Sequence, residues 1–291
     1  MTTKTGKLYV VATPIGNLAD LSPRAVDILK SVDLILAEDT RHSKPLMQHF
    51  GIHTRMESCH EHNECEKSLE VLSHLASGLA CALISDAGTP VFSDPGAKLI
   101  DTVLAAGYAV IPIPGACAAI AALSASGFAG IPFHFYGFLP AHTANKRKIL
   151  EPIFQNITGT LCFYESPHRL LETLILFQEI WGEDKIIVLA KELSKLYETL
   201  LKKPILEVLQ WLREDEKRQQ GEFVILLENT VTPSDNAHVT LSVDEMLIAL
   251  MAQMKLKEAV TLLANLSGLP KNTLYDKALG LKSSLSLKSV Q

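Results

Sequence analysis

At 291 residues, with 47% hydrophobic and 20% charged side chains, the chain can bury the cores of two domains and carry a small appendage. A formal net charge of -5 excludes indiscriminate coating of nucleic acid, although a local basic patch could still grip phosphates. The sequence has no secretory leader pattern and no run of about 18 apolar residues, and its odd set of five cysteines reads as reduced core thiols; the expectation is a cytoplasmic protein without a membrane span.

In chain order, the apolar run Leu8 to Ala12 within Lys7 to Thr13 reads as a central parallel strand. Pro14-Ile15-Gly16-Asn17 follows, and then Ser22-Pro23 supplies an N-cap and first-turn proline for a helix with Ala25, Val26 and Leu29 on one face. Val32 to Ala37 is a second strand, ending in Glu38-Asp39-Thr40-Arg41; Ser43 and Pro45 then open a short helix that Gly51 stops. A helix from about Asn63 to Ser77 leads to a strand at Ala80 to Ile84. Another, from Ala97 to Ala106 and ended by Gly107, leads to Ala109 to Ile113. Strands alternating with helices at this spacing predict a parallel sheet with right-handed crossovers.

At Pro112 to Gly115 the pattern breaks, and the small-residue helix Ala116 to Ser126 is expected to leave the first sheet. Beyond it come strands at Phe133 to Phe138, Thr160 to Tyr164, Lys185 to Ala190 and Phe223 to Glu228. Helices lie near Asn145 to Gln155, from Pro167 to Trp181 and up to about Arg213, and Lys191 to Lys203 is a polar stretch. This half predicts a mixed sheet. Asn229 to Ser242 has a linker composition. Three amphipathic helices then carry Met246, Leu247 and Leu250, then Ala259, Val260 and Leu263, then Leu274, Ala278 and Leu281, with a helix-turn-helix-like turn at Gly268-Leu269-Pro270. Either RNA binding or simple packing would suit that bundle. The expected class is α/β: two α/β domains, 1–115 and 116–230, with a mainly parallel and a mixed sheet, plus a small C-terminal helical domain, 240–291.

The densest turn is Ser85-Asp86-Ala87-Gly88-Thr89-Pro90-Val91-Phe92-Ser93-Asp94-Pro95-Gly96, between a buried strand and a helix. Its glycines, prolines, aspartates and hydroxyls either cap the next helix or present backbone N–H groups to a ligand at the carboxyl end of a strand. Loops at Thr13 to Asn17, Pro112 to Gly115, Tyr164-Glu165 and Gly221 to Phe223 are expected to share its crevice. None is a GxGxxG or Walker loop, so dinucleotides and nucleoside triphosphates lose support. A crevice with Asp86, Glu165, Glu222 and free amides suits a zwitterion with an adenosine-like apolar part.

Taken together, Ala12 to Leu18, Ala37 to Arg41, Ser85 to Gly96, Ile113 to Gly115, Phe135 to Pro140, Tyr164 to Arg169 and Gly221 to Phe223 resemble the ribosomal RNA small subunit methyltransferase I family. That family belongs to the tetrapyrrole-methylase-like, S-adenosylmethionine-dependent enzymes. The motifs spread over most of residues 7 to 228, in order. The resemblance implies a homodimeric enzyme that holds S-adenosylmethionine between two α/β domains and methylates a cytidine ribose 2'-hydroxyl of small-subunit ribosomal RNA, free or in the assembled subunit. It assigns the cofactor to Pro14, Gly16 and Asn17; to Asp86, Ala87, Gly88, Thr89, Pro90, Val91 and Ser93; to Pro114, Gly115 and Ala118; and to Tyr164, Glu165, Glu222 and Phe223. One departure is Lys191-Glu192-Leu193-Ser194-Lys195, where the family pattern has arginine first and threonine fourth. Methylation of a tetrapyrrole ring carbon, or a non-catalytic ribosome-assembly role, is the alternative.

Methyl transfer needs in-line placement, and a ribose hydroxyl also needs a base or a cation beside the developing alkoxide. Glu165, Lys191 and Glu192 are the catalytic candidates, with His60 and His168 behind them; a structural ion pair is the other reading of each carboxylate. Cys59-His60-Glu61-His62-Asn63-Glu64-Cys65 lacks zinc-site spacing, so no metal is expected; capping of the following helix or contact with substrate remain. For RNA phosphates the candidates are Arg41, His42, Lys44, His60, His62, Lys146, Arg147, Lys148, His168, Arg169 and Lys195, and further along Lys202 and Lys203; a solvated helix face is the other reading of Lys146 to Lys148.

Overall fold

A computed structural model describes residues 6–129, 132–231 and 242–288, with side chains as far as 282. Five strands, β1 (Lys7–Val11), β2 (Leu34–Ala37), β3 (Met56–Ser58), β4 (Ala80–Ile84) and β5 (Ala109–Ile113), form a wholly parallel sheet in the order β3-β2-β4-β1-β5. Alternate residues feed two layers. Val11, Ile35, Ala37, Ala82 and Ile84 pack with helices α1 (Pro23–Ser31) and α2 (Thr40–His49), while Leu8, Leu34, Leu36, Cys81 and Leu83 pack with α3 (Glu64–Ala76) and α4 (Ala97–Ala105). Burial on both faces is why these strands read as unbroken apolar runs. Pro112, which has no N–H, sits in β5 at the edge of the sheet.

The capping signals act as expected at α1, where Ser22 Oγ accepts from Ala25 N at 3.1 Å, a cap worth about 1 kcal/mol. Two expectations need correction, and one strand was not anticipated. Helix α2 begins at Thr40, capped by Asp39 accepting from Arg41 N, and carries Pro45 inside it instead of opening near Ser43. Strand β3 is a three-residue strand with no apolar run to announce it. Asn63 does not cap α3 with its side chain; it closes its own turn by accepting from His60 N and donating to Ser58 O.

After Ile113 the chain crosses to a second sheet through α5 (Ala118–Ser126), whose Ala119 and Ala122 lie against Cys162, Val188 and Leu226. That sheet contains β6 (Phe133–Phe138), β7 (Gly159–Glu165), β8 (Ile186–Lys191), β9 (Thr199–Pro204) and β10 (Phe223–Asn229), in the order β6-β7-β10-β8-β9. β6 and β7 are parallel and the other pairs antiparallel, so the sheet is mixed. Helices α6 (Thr143–Asn156), α7 (Leu170–Trp181) and α8 (Ile205–Glu214) cover its other face around Phe163, Leu174, Phe177 and Leu209. The polar stretch 191–203 is half strand: β9 is the sheet edge, and its exposed Lys202 and Lys203 are the charges that discourage edge pairing. Helix α7 starts at Leu170, three residues later than Pro167 suggests.

These elements form one unit, Met1–Val231, and Thr232–Gln291 forms another. Most of the expected linker, residues 232–241, lies outside the described residues. In the second unit, helices α9 (Val243–Met251), α10 (Leu256–Ser267) and α11 (Lys271–Lys288) surround Leu247, Val260, Leu263, Leu274 and Ala278. Ser242 and Glu245 form a capping box at α9, and Gly268 ends α10 at φ 70°. Among the described residues no helix is long and apolar enough to cross a membrane.

Candidate active site

Parallel strands send the loops after β1, β2, β4 and β5 to one edge of the first sheet. There they are laced together. Thr13 N donates to Gly88 O at 2.9 Å and Gly88 N returns the bond to Thr13 O at 3.1 Å. Thr13 Oγ1 donates to Ser85 O, and Thr89 Oγ1 to Ala116 O. The turn after β5 needs glycine, because a Cβ on Gly115 would stand 2.8 Å from Ala12 Cβ. From the second sheet, the end of β7 and the start of β10 face these loops, and between them lies a cleft of about 390 Å³, within the range of small-ligand sites.

One wall of the cleft is acidic, with Glu38, Asp86 and Asp94; the other is apolar and aromatic, with Ile15, Phe92, Phe138, Tyr164, Leu193 and Val224. The turn that carries Asp94 is strained: Val91 and Ser93 have φ of 73° and 74°, a left-handed conformation that costs a side chain about 1–2 kcal/mol. Contacts with the second sheet hold it there. Phe92 stacks on Phe135 with centroids 3.9 Å apart, and Ser93 lies over Gly137, where a Cβ would come 2.8 Å from Ser93 Oγ. Tyr164 Oη accepts from Ala119 N at 3.2 Å, and burial together with the nearby Cys117 keeps its phenol protonated.

Burial, then the charges of Glu38 and Asp86, push the Asp94 carboxyl up to about 6. Burial and Asp86 raise Glu38 as well. Asp86 itself accepts from Asp39 N at 3.1 Å. Glu38 and Asp94 were inside motifs singled out in the sequence but not among the site residues; the available signal was position, since Glu38 follows the last residue of β2 directly, as the Asp86 turn follows β4.

Of the residues expected at the cofactor, Asp86, Ala87, Gly88, Thr89, Ser93, Ala118, Tyr164, Glu165, Glu222 and Phe223 line the cleft. In the first loop Ile15 takes the lining position; Gly16 packs against the 193–195 turn, and Asn17 accepts from Ala19 N to cap a 3-10 turn at Leu18–Asp20. Pro14, Pro90, Val91, Pro114 and Gly115 are not in the lining; they shape the loops behind it.

Each of the three catalytic candidates is engaged by other protein groups. Glu165 is buried and saturated: Oε1 accepts from Ser166 N at 2.8 Å and pairs with Arg169 at 2.9 Å, while Oε2 accepts from Thr173 Oγ1 at 2.6 Å and lies 3.6 Å from Lys146 Nζ. Lys191 donates to Lys217 O, away from the lining. Glu192 accepts from Lys195 Nζ and Glu222 N; burial opposes its charge, but these partners hold it below the usual carboxylate range.

Among the RNA candidates, Lys146 is corrected. It is fully buried and donates to Thr173 Oγ1 at 2.7 Å, so it offers nothing to a phosphate. Arg169 bonds Glu165, Ser166 and Leu139, Arg147 pairs with Glu151 and Glu179, and Lys195 pairs with Glu192 and Glu222. Arg41 is exposed and clasped by both oxygens of Asp39. His42, Lys44, His62, Lys148 and His168 are exposed, and His60 is half-buried. In the same segment Glu64 is buried, and its Oε1 accepts from Leu99 N, capping α4 where Gly96 supplies no side chain.

Residues 7–209 match the family described as Tetrapyrrole (Corrin/Porphyrin) Methylases, and residues 237–282 match the RsmI C-terminal HTH domain. Ribosomal RNA small subunit methyltransferase I of Pseudomonas aeruginosa is 47% identical over 274 residues, covering 94% of this chain and 97% of that protein. The protein of the same name from Bacillus subtilis is 42% identical over 276 residues, covering 93% of each. In fold, uroporphyrin-III-C-methyltransferase from Thermus thermophilus superposes with a TM-score of 0.55 at 16% identity, over 78% of this chain and 96% of that one. Diphthine synthase does so at 0.59 and 13%, over 77% and 90%. With 70 residues in every 100 of its length inside the first match and near-complete alignment to these relatives, the chain belongs to the tetrapyrrole methylases and, within them, to the ribosomal RNA small subunit methyltransferase I family.

Proposed function

We propose that this chain transfers a methyl group from S-adenosylmethionine to the 2'-hydroxyl of a cytidine ribose in small-subunit ribosomal RNA. The observation that carries the reading is full-length similarity to relatives named for small-subunit ribosomal RNA methylation, in a chain whose strand-end loops enclose a cleft of suitable chemistry. The acidic wall complements a sulfonium and an ammonium, and the wall of Phe92, Tyr164, Leu193 and Val224 suits an adenine. Gly88, Thr89, Ala118, Tyr164 and Phe223 would hold the cofactor, which when bound supplies a methyl carbon activated by positive sulfur. Arg41, His42, Lys44, His62, Lys148 and His168 remain exposed for RNA phosphates.

Parts 1–115 and 116–230 act as the two jaws, and 240–291 as the helical appendage. The working form is a cytoplasmic homodimer: the cysteines are free, and Leu196 and Tyr197, 88% and 72% exposed, would be covered by a second copy. Ring-carbon methylation of a tetrapyrrole rests on the broader family match and on fold likeness at 16% identity, whereas the full-length relatives are named for ribosomal RNA. The deciding experiment incubates protein, labelled S-adenosylmethionine and unmethylated small subunits, then maps the label. Ribose label supports the proposal; label on a base overturns it. Absence of saturable cofactor binding would instead favour an assembly role.

A further inference from the structure

Five acidic residues line the cleft, and their surroundings separate them. Glu165 has both oxygens occupied by Ser166, Arg169, Thr173 and Lys146. Glu222 is largely exposed and pairs with Lys195 Nζ at 3.1 Å. Asp86 is committed to the Asp39 amide. That leaves Glu38 and Asp94, which have no lysine or arginine at ion-pair distance among the described residues. Of these two, Asp94 stands on the strained turn that Phe92 and Ser93 pin to the second sheet, so the segment that carries it is fixed at the edge of the cleft.

We propose that Asp94 is the general base for the ribose hydroxyl, and that Glu38, which lines the same acidic wall, is its positioning residue; this rests on the function proposed above. Asp94 takes the 2'-hydroxyl proton as that oxygen's electron pair forms the bond to the methyl carbon, while the carbon–sulfur pair stays with sulfur and leaves a neutral thioether. The carboxylic acid so formed releases its proton to water through the open side of the cleft. The charged and titratable groups that bear on Asp94 are Glu38 at the end of β2, Asp86 in its own loop and, through Glu38, His42 of α2; Tyr164 faces the same cleft from β7. A base with a proton affinity near neutrality suits the task better than an ordinary aspartate, and the carboxyl at about 6 meets that need.

The test uses the whole protein, unmethylated small subunits and labelled S-adenosylmethionine. Asp94→Asn should lower kcat, measured with S-adenosylmethionine held at saturation, by about 10²–10⁴-fold, beyond any loss of cofactor affinity read by calorimetry. In the wild type, kcat/KM should fall below pH about 6, and Glu38→Gln, by removing a neighbouring negative charge, should move that limb to lower pH. Carboxyl ¹³C shifts of the ligand-free protein should show the same titration, absent in Asp94→Asn and displaced downward in Glu38→Gln. Full turnover by Asp94→Asn, a loss confined to cofactor affinity, or an acid limb unmoved by Glu38→Gln each overturns the proposal. If instead the wild type puts no label on ribose, the functional reading itself fails.

Discussion

A carboxylate kept half out of water beside two others destabilises the folded state in exchange for reactivity. Asp94 binds its proton more tightly folded than unfolded, so its contribution to stability declines as pH rises from about 4, the unfolded value, through about 6. Asp94→Asn should therefore stabilise the protein at pH 7.5 by about 1 kcal/mol, after discounting for its partial exposure, and the gain should vanish below pH about 4. Urea unfolding at the two pH values checks this; equal or lower stability of the variant at pH 7.5 would contradict it. Lys146, Arg147 and Lys148 show how far residue type alone leads. They are adjacent in sequence and read as one basic patch, yet successive helical positions diverge, so Lys146 enters the core, Arg147 pairs across to α7 and Lys148 meets water.

At the level of elements, capping and apolar runs were legible in the sequence wherever one interaction dominates, as at Ser22-Pro23 and β4. They misled where interactions compete. Asp39 outbids Pro45 as the start of α2, because a cap that also clasps Arg41 satisfies the first turn, and the proline is tolerated within it. β9 was hidden because an edge strand carries lysines where a buried one would carry valines. The irregular register of β6 at Phe135 and Gly137 matters to function, since it puts a glycine at φ 63° directly beneath Ser93. Gly137→Ala should cost about 1–2 kcal/mol for the left-handed conformation and displace the Asp94 turn. Calorimetry should then record at least tenfold weaker S-adenosylmethionine binding; unchanged affinity would show that the turn does not depend on this contact.

The whole molecule supplies the cleft, which no single element contains. Its acidic wall comes from the parallel sheet and most of its aromatic wall from the mixed one, so the pocket exists only when both sheets are formed and α5 has carried the chain across. The exposed Leu196 and Tyr197 bear on the next level of assembly. Sedimentation at micromolar concentration should give a dimer of the 31.8 kDa chain, and Leu196→Glu with Tyr197→Glu should shift it toward monomer; a wild-type monomer would reject the proposed assembly.

The amino-acid pattern by itself determined the α/β class, the parallel and mixed sheets and the loops that line the cleft, because strand periodicity, caps and glycine turns are local properties that neighbouring residues enforce. Only the tertiary structure decided which carboxylates are free. Glu165 and Glu192 were the candidates and Asp94 was not, and what separates them is long-range: Lys146, Thr173 and Arg169 engage the first, Lys195 and the Glu222 amide the second, while Asp94 has a hydrogen bond from Ser85 and two neighbouring carboxylates but no cationic side chain among the described residues. Proton affinity depends on partners brought together from distant parts of the chain, and sequence spacing does not record that distance.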